Sequence, residues 1–236
     1  MQPEFKKIML KLSGEGLAGE NKTGTDAAVV QKLATEIKTV HDLGMQICLV
    51  IGGGNIFRGA KNGSADMDRS VADQIGMLAT VMNALTMKSA LENQGCSVKV
   101  FSALAMPQIC ETYDFRNAKQ ALDEGRVVIF ACGTGSPYFT TDTGAVLRAV
   151  EMHCDIMMKA TQVDGVYSAD PRYNADAERY DTITYDEILE KHLNIMDMTA
   201  VAMARDNKLP VMIFAQKGEN SITKAICGKA KCTIIK

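Results

Sequence analysis

Lys11, Arg58 and Lys159 put positive charge where a parallel α/β sheet would meet its ligands. Lys11 stands near the end of the apolar run Lys7–Leu12, Arg58 follows the triple glycine Gly52–Gly54, and Lys159 belongs to the run Asp155–Ala160. Ligands of such sheets sit beyond the carboxyl ends of the strands. An ammonium buried in a central strand is costly unless it meets an anion; on a short edge strand it would simply be solvated. A loop arginine can grip a phosphate through paired hydrogen bonds or lie in solvent. The neighbouring turns favour phosphate. Ser13-Gly14-Glu15-Gly16, Gly52-Gly53-Gly54-Asn55 and Gly133-Thr134-Gly135-Ser136 each follow a strand-like run. Glycine lets backbone N–H groups approach an anion closely. Three such turns suit a ligand with several phosphates, or two phosphorylated ligands end to end.

Other residues add to this. The stretch Thr134–Asp142 (TGSPYFTTD) packs hydroxyls, an aromatic pair and an acid between a strand and a helix start. Thr140 and Thr141 there can cap the helix or bind phosphate with help from its dipole. Tyr167 and Asp170, next to Pro171, can stack on a base and bind a ribose hydroxyl. Asp73 lies opposite the apolar stripe Val71/Ile75/Leu78, which reads as a solvated helix face.

Several chemistries are excluded. Gly54-Asn55-Ile56-Phe57-Arg58-Gly59 has P-loop glycine spacing, but Ala60-Lys61-Asn62 follows where Lys-[Ser/Thr] is required. Gly14, Gly16 and Gly19 fit the dinucleotide pattern, yet Glu20–Gly24 is a loop and the next helix begins only near Asp26, too late to receive a pyrophosphate. His41, His153 and His192 lie apart without metal-ligand spacing, and no G-x-S-x-G elbow is present. A net charge of −2 argues against bulk nucleic-acid binding. The seven cysteines lack a C-x-x-C pair and read as small core residues of a reducing cytosol. No apolar run approaches the length of a membrane helix and the N-terminus lacks a signal-peptide pattern, so the expected location is the cytoplasm.

The elements that must hold these residues alternate between short β-branched runs and amphipathic helices. Strands are expected at Lys7–Leu12, Gln46–Ile51, Ser97–Ser102, Val127–Ala131, Asp155–Ala160 and Val211–Phe214. Helices are expected from Asp26 to Gly44, along the stripe Val71, Ile75, Leu78, Met82 and Leu85, and at Phe115–Glu124, Asp142–Met152, Asp186–Lys191, Met198–Asn207 and Ser221–Cys227. Val163-Asp164-Gly165-Val166 signals a hairpin. Continuous apolar strands with interleaved helices give a three-layer α/β/α sandwich around a mostly parallel sheet. The 236 residues show no linker or internal repeat, and the expectation is a single domain.

Lys11-Leu12-Ser13-Gly14, the triple glycine with Asn55 and Arg58-Gly59, and Val163–Pro171 (VDGVYSADP) together resemble the amino-acid kinase superfamily. Phe57–Ala60 (FRGA), Met77–Leu85 (MLATVMNAL), TGSPYFTTD and Met196-Asp197 are similar to the bacterial uridylate (UMP) kinase family within it, in register from Lys6 to the C-terminus. The resemblance implies transfer of the γ-phosphoryl of ATP to UMP with Mg²⁺, the metal carried mainly by the ATP phosphates. It implies Lys11, Leu12, Ser13, Gly14, Gly54 and Arg58 around the ATP phosphates, and Thr161, Gln162, Tyr167 and Asp170 around its adenosine. Gly53, Asp73, Thr134, Gly135, Ser136, Pro137, Tyr138, Phe139, Thr140 and Thr141 would hold UMP, with Asp73 on the ribose. An acceptor half, about residues 1–150, would then face an ATP half, about 151–236 plus the Lys11–Gly14 turn. Lys11 and Lys159 would neutralise the transferring group, and Asp197 would orient Lys11 or cap the following helix. Some relatives carry lysine where Gln162 stands. The match also implies a homohexamer, activation by GTP through Gly19–Gly24 and inhibition by UTP. The rival readings are a kinase of the same fold with another acceptor, a non-catalytic nucleotide-binding protein, and a dehydrogenase.

Overall fold

The computed structural model describes residues 5–21, 23–58, 67–171, 173–174 and 176–236. Gly59 and Ala60 of the FRGA match, Lys61 and Asn62 of the failed P-loop, and Lys22 lie outside them. Eleven strands are described: β1 Lys7–Leu12, β2 Gln46–Ile51, β3 Val98–Ser102, β4 Glu111–Thr112, β5 Val127–Ala131, β6 Ile156–Thr161, β7 Val166–Tyr167, β8 Arg179–Tyr180, β9 Thr182–Ile183, β10 Val211–Ala215 and β11 Cys232–Ile235. The helices are α1 Ala27–Asp42, α2 Arg69–Glu92, α3 Phe115–Asp123, α4 Thr141–Glu151, α5 Tyr185–Glu190, α6 Met198–Asp206 and α7 Ser221–Ile226.

Nine strands form one sheet in the order β4-β3-β5-β2-β1-β6-β10-β11-β9, parallel except for the β10–β11 pair. β1 therefore lies in the middle, and the edge-strand reading of Lys11 falls. Side chains of a strand alternate between faces. Ile8, Leu10 and Leu12 pack into the layer of α1, α2 and α7, whereas Met9 packs into the layer of α3–α6. Lys11 shares the parity of Met9, and Lys159 that of Met157, so both lysines belong to the second face. Six of the seven helices named here start at a side-chain cap. The Asp26 side chain accepts from Ala28 N–H and Val29 N–H, and that of Thr140 from Asp142 N–H and Thr143 N–H. No helix of the described residues is long and apolar enough to cross a membrane.

Two expectations are corrected. The stripe Val71/Leu78/Met82 is not the core face of α2: these residues are 46%, 51% and 56% exposed, while Ala72, Met77, Ala79, Val81, Asn83 and Ala84 are buried. The sheet-facing side carries Met77, Val81, Met87 and Leu91 into the core. It is small only where it meets the glycine turn after β2: a Cβ on Gly53 would fall 2.7 Å from the Gly76 carbonyl and 2.8 Å from Ala79 Cβ. The stripe's periodicity is real but belongs to the outer face. The 163–166 segment is a turn but not a hairpin. β7 pairs antiparallel with β8, not with β6. Gly165 is there for space: a Cβ would sit 2.5 Å from Thr233 Oγ1 and 3.0 Å from Arg179 Cδ. Thr233 Oγ1 also accepts from Val166 N–H at 2.8 Å, which draws the segment onto β11.

Candidate active site

Lys11 and Lys159 lie side by side in register on the adjacent parallel strands β1 and β6, near their carboxyl ends. Two ammonium groups on one face repel, and the fold supplies one counterion between them. Asp142, in the first turn of α4, takes Lys11 Nζ on Oδ1 at 2.8 Å and Lys159 Nζ on Oδ2 at 2.6 Å. Lys159 Nζ also donates to the Ile195 carbonyl at 2.5 Å. The three side chains are only 12–13% exposed, so the interactions act in a poorly screened environment. Burial opposes ionisation of Asp142, but the charges of Lys11 and Lys159 outweigh it and hold the carboxyl below its ordinary value. Burial lowers the pKa of Lys159, repulsion from Lys11 adds to it, and Asp142 offsets only part.

Asp197 makes no ion pair with Lys11 in this structure. Its Oδ1 accepts from Thr143 Oγ1 at 2.8 Å and from Ala200 N–H at 3.0 Å, and its Oδ2 from the Thr140 hydroxyl. It caps α6 and ties that helix to the start of α4 (the second of the two roles open to it). The carboxylate that pairs with Lys11 is Asp142. The sequence held a sign of this: two cations at neighbouring strand ends demand a counterion, and Asp142 is the acid in the first turn of the adjacent helix.

The glycine turns crowd around this cluster. A Cβ on Gly14 would lie 2.3 Å from the Gly52 carbonyl and 2.5 Å from Asn55 Oδ1, so the turns after β1 and β2 touch. Gly14 has no positive φ; its missing side chain matters, not its backbone freedom. Arg58 reaches across the gap, with Nε donating to the Gly54 carbonyl at 2.9 Å and the guanidinium paired with Glu15 at 2.6 Å. Arg58 and Glu15 are about one-third and one-half exposed, so solvent screens the pair and an incoming phosphate can compete for the arginine.

Two clefts flank the lysines. One, of about 270 Å³, is lined by Gly53, Gly54, Asp73, Thr134, Ser136, Phe139, Thr140 and Thr141 together with Arg69, Met77, Thr80 and Cys132. Gly135, Pro137 and Tyr138 belong to the same loop; Tyr138 has φ of 71° and donates its N–H to Asp73 Oδ2 at 2.8 Å. Asp73 is thus half-buried at the cleft, not on a solvated face. Arg69, which sequence reasoning missed, stacks its guanidinium 4.6 Å from the Tyr138 ring centroid. The second cleft, of about 510 Å³, includes Tyr167, Asp170, Pro171, His192 and Ile195 in its lining. Tyr167 donates its hydroxyl to Asp164 at 2.6 Å. Thr161 and Gln162 stand at the end of β6 outside that lining; Thr161 Oγ1 accepts from Val163 N–H at 3.0 Å. Ile195 joins the second cleft to Lys159, as Thr140 and Thr141 join the first to Asp142.

The model of the amino acid kinase family matches residues 6–215. The chain belongs to the amino acid kinase family. Within that family it is 51% identical to the uridylate kinase of Paramagnetospirillum magneticum over 232 residues, covering 98% of this chain and 97% of that one. It is 56% identical to the uridylate kinase of Cereibacter sphaeroides over 211 residues, covering 89% and 86%. The crystal structure of UMP kinase from Ureaplasma parvum superposes with a TM-score of 0.94 at 35% identity, covering 98% of this chain and 99% of that one. The uridylate kinase structure from Archaeoglobus fulgidus gives 0.75 at 29% identity, covering 97% and 99%. The UMP kinase structures share the three-layer α/β fold seen here, and the uridylate kinase relatives mark the chain as a nucleoside monophosphate kinase, a phosphotransferase and not a dehydrogenase.

Proposed function

We propose that this protein is a UMP kinase of pyrimidine nucleotide biosynthesis, transferring the γ-phosphoryl group of ATP to UMP to give UDP and ADP. The observation that carries the reading is the lysine–aspartate–lysine cluster set between two clefts, in a chain about half identical to uridylate kinases along nearly its whole length. ATP lies with its base on Tyr167 and its ribose at Asp170, its adenosine bounded by Thr161 and Gln162, and its phosphates over Lys11–Gly14, Gly54 and Arg58. UMP occupies the smaller cleft, with its ribose on Asp73 and its phosphate toward Thr140 and Thr141. The acceptor half and the ATP half thus meet at the β1–β6 seam.

Phosphoryl transfer depends on alignment and charge neutralisation more than on covalent help. The UMP phosphate oxygen attacks the γ-phosphorus, the bond to the β,γ-bridging oxygen breaks, and ADP leaves with the electron pair. Lys11 and Lys159 neutralise the equatorial oxygens. Asp142 keeps both cations at the seam before ATP arrives, so little reorganisation is left for the transfer itself. An attacking phosphate with a second pKa of about 6 is already ionised near neutrality, so no general base is required. Mg²⁺, which would offset further phosphate charge, fits as a metal carried by ATP. The nearby carboxylates are already engaged: Asp142 by two lysines, Asp197 by two hydroxyls and a backbone N–H, and Glu15 by Arg58.

The outward apolar face of α2 supports self-association, and the resemblance makes the assembly a homohexamer. GTP and UTP are its effectors; the backbone and side chain of Asn55 both bond to Gly24 at 2.8 Å, a route from the 19–24 segment to the site. Seven free cysteines support a cytoplasmic location. ADP release from ATP and Mg²⁺ should be measured with UMP, CMP, glutamate and no acceptor. Turnover with UMP alone is expected. Turnover only with another acceptor would keep the ATP site and remove the roles given to the smaller cleft; ATP binding without turnover would favour a nucleotide-binding protein.

A further inference from the structure

We propose that Asn83 is a positioning residue for phosphoryl transfer, fixing with Asn55 the spacing between the turn after β1 and the turn after β2. The inference rests on the kinase reading above. Both asparagines are fully buried, 1% and 0% exposed, and their amides face each other. Asn55 Nδ2 donates to Asn83 Oδ1 at 3.1 Å, and Asn83 Nδ2 donates back to Asn55 Oδ1 at 2.7 Å. The second N–H of Asn83 goes to the Gly52 carbonyl at 2.7 Å and that of Asn55 to the Gly24 carbonyl at 2.8 Å. An amide has two donors, so every N–H of the pair is used. A closed buried network of this kind holds its members rigidly, and removing one leaves the others unpaired.

What the pair holds is the wall behind Gly14. The two atoms nearest to where a Gly14 Cβ would stand are the Gly52 carbonyl oxygen and Asn55 Oδ1, and both are hydrogen-bonded by Asn83. Asn83 itself lines neither cleft. It acts through those oxygens on the turn that follows Lys11. The same helix carries Asp73, Met77 and Thr80 at the acceptor cleft, and Thr80 Oγ1 accepts from Cys132 N–H at 2.8 Å. One helix therefore sets the acceptor cleft and, through Asn83, the seat of the triphosphate turn. A misplacement of about 1 Å at a transfer site can cost 100-fold in rate. Loss of Asn83 should therefore appear in turnover and not in binding.

The test compares Asn83→Ala and Asn83→Asp with the parent for kcat, for KM toward ATP and UMP, and for thermal stability, with assays run well below each melting point. Asn83→Ala is expected to lower kcat about tenfold or more while each KM stays within about threefold. Protonated aspartic acid keeps one donor and an acceptor, whereas aspartate can only accept. In Asn83→Asp the new carboxyl would face two oxygens in a buried site, which raises its pKa. Its kcat relative to the parent should therefore recover as pH falls from about 8.5 to about 6, with no such recovery in Asn83→Ala. Glu15, Glu20, Asp26 and Arg58 on the neighbouring turns are common to all three proteins and cancel in that ratio. Unchanged kcat, a loss confined to KM, or a flat ratio for Asn83→Asp would each overturn the proposal. Failure of both variants to fold would also overturn it, assigning the pair to stability alone. A parent inactive toward UMP would instead strike the kinase reading, and with it the premise.

Discussion

Replacing Asp142 with asparagine separates charge from shape at the centre of the site. The amide keeps the size of the carboxylate but leaves Lys11 and Lys159, in register on neighbouring strands and only 12–13% exposed, facing each other without a counterion. Removing one partner of a buried charge cluster costs about 3–5 kcal/mol. At about 2–4 °C per kcal/mol for a chain of this size, the melting point should fall roughly 6–20 °C. ATP should return part of that loss, because its phosphates bring the missing negative charge. The pH dependence has a definite sign. Asp142 is held below 3.8 because the two ammonium charges outweigh burial, so its contribution is complete above that value and is lost as pH falls through the lower folded-state pKa. The gap in unfolding free energy between parent and Asp142→Asn should stay constant down to about pH 5 and close in more acidic solution. Thermal melts with and without ATP, chemical denaturation across pH, and a coupled ADP assay measure all of this. A shift under about 2 °C with near-parental turnover, alongside a larger loss of turnover in Asp197→Asn, would refute the counterion role and return it to Asp197.

Lys11→Ala should lower kcat by about 100-fold or more, as removal of a charge-stabilising donor does, with KM for UMP changed far less; steady-state kinetics decide it, and equal binding loss with turnover intact would sink the assignment. Gly14→Ala forces a methyl to 2.3 Å from a backbone carbonyl, so a loss of about 1–3 kcal/mol in stability together with weaker ATP binding is expected by calorimetry. Leu78→Asp with Met82→Asp should reduce the proposed assembly to the 25.6 kDa chain in light scattering, since both side chains stand more than half exposed on one face of α2.

The strands that carry the site were legible because strands buried on both sides read as unbroken apolar runs. Lys11 could be placed at a strand end, but only the strand order, with β1 between β2 and β6, settles that it is central and not at an edge. The stripe on α2 misled because periodicity reports that a helix has an apolar side, not which way that side points. Gly76, Ala79, Thr80 and Asn83 meet the β2 turn, and small or polar residues carry no hydrophobic signal. Asp73 was put in solvent for the same reason. β7, β8 and β9 span two residues each, too short for alternation to register, and Gly165 looked like a turn glycine because a missing Cβ leaves no mark of which neighbour needs the space. Asp142 escaped because the motif around it drew attention to the hydroxyls, and its role appears only when strand register brings the two lysines together.

The pairing of β1 with both β2 and β6 also bears on how the chain is made. β1 meets β2 across a short stretch of sequence, but Lys11 finds Lys159 across 148 residues. During synthesis the N-terminal strands emerge first, and the outer edge of β1 stays open until β6 follows. At about 5–20 residues per second, the 110 residues from Ile51 to Thr161 leave that edge unpaired for roughly 5–20 s. Parallel pairings over such separations form slowly, and an open apolar edge invites pairing with another nascent chain. The seam where the phosphoryl group would cross is thus closed late, so a truncated or stalled chain would present a finished-looking first half with a sticky flank and no catalytic centre.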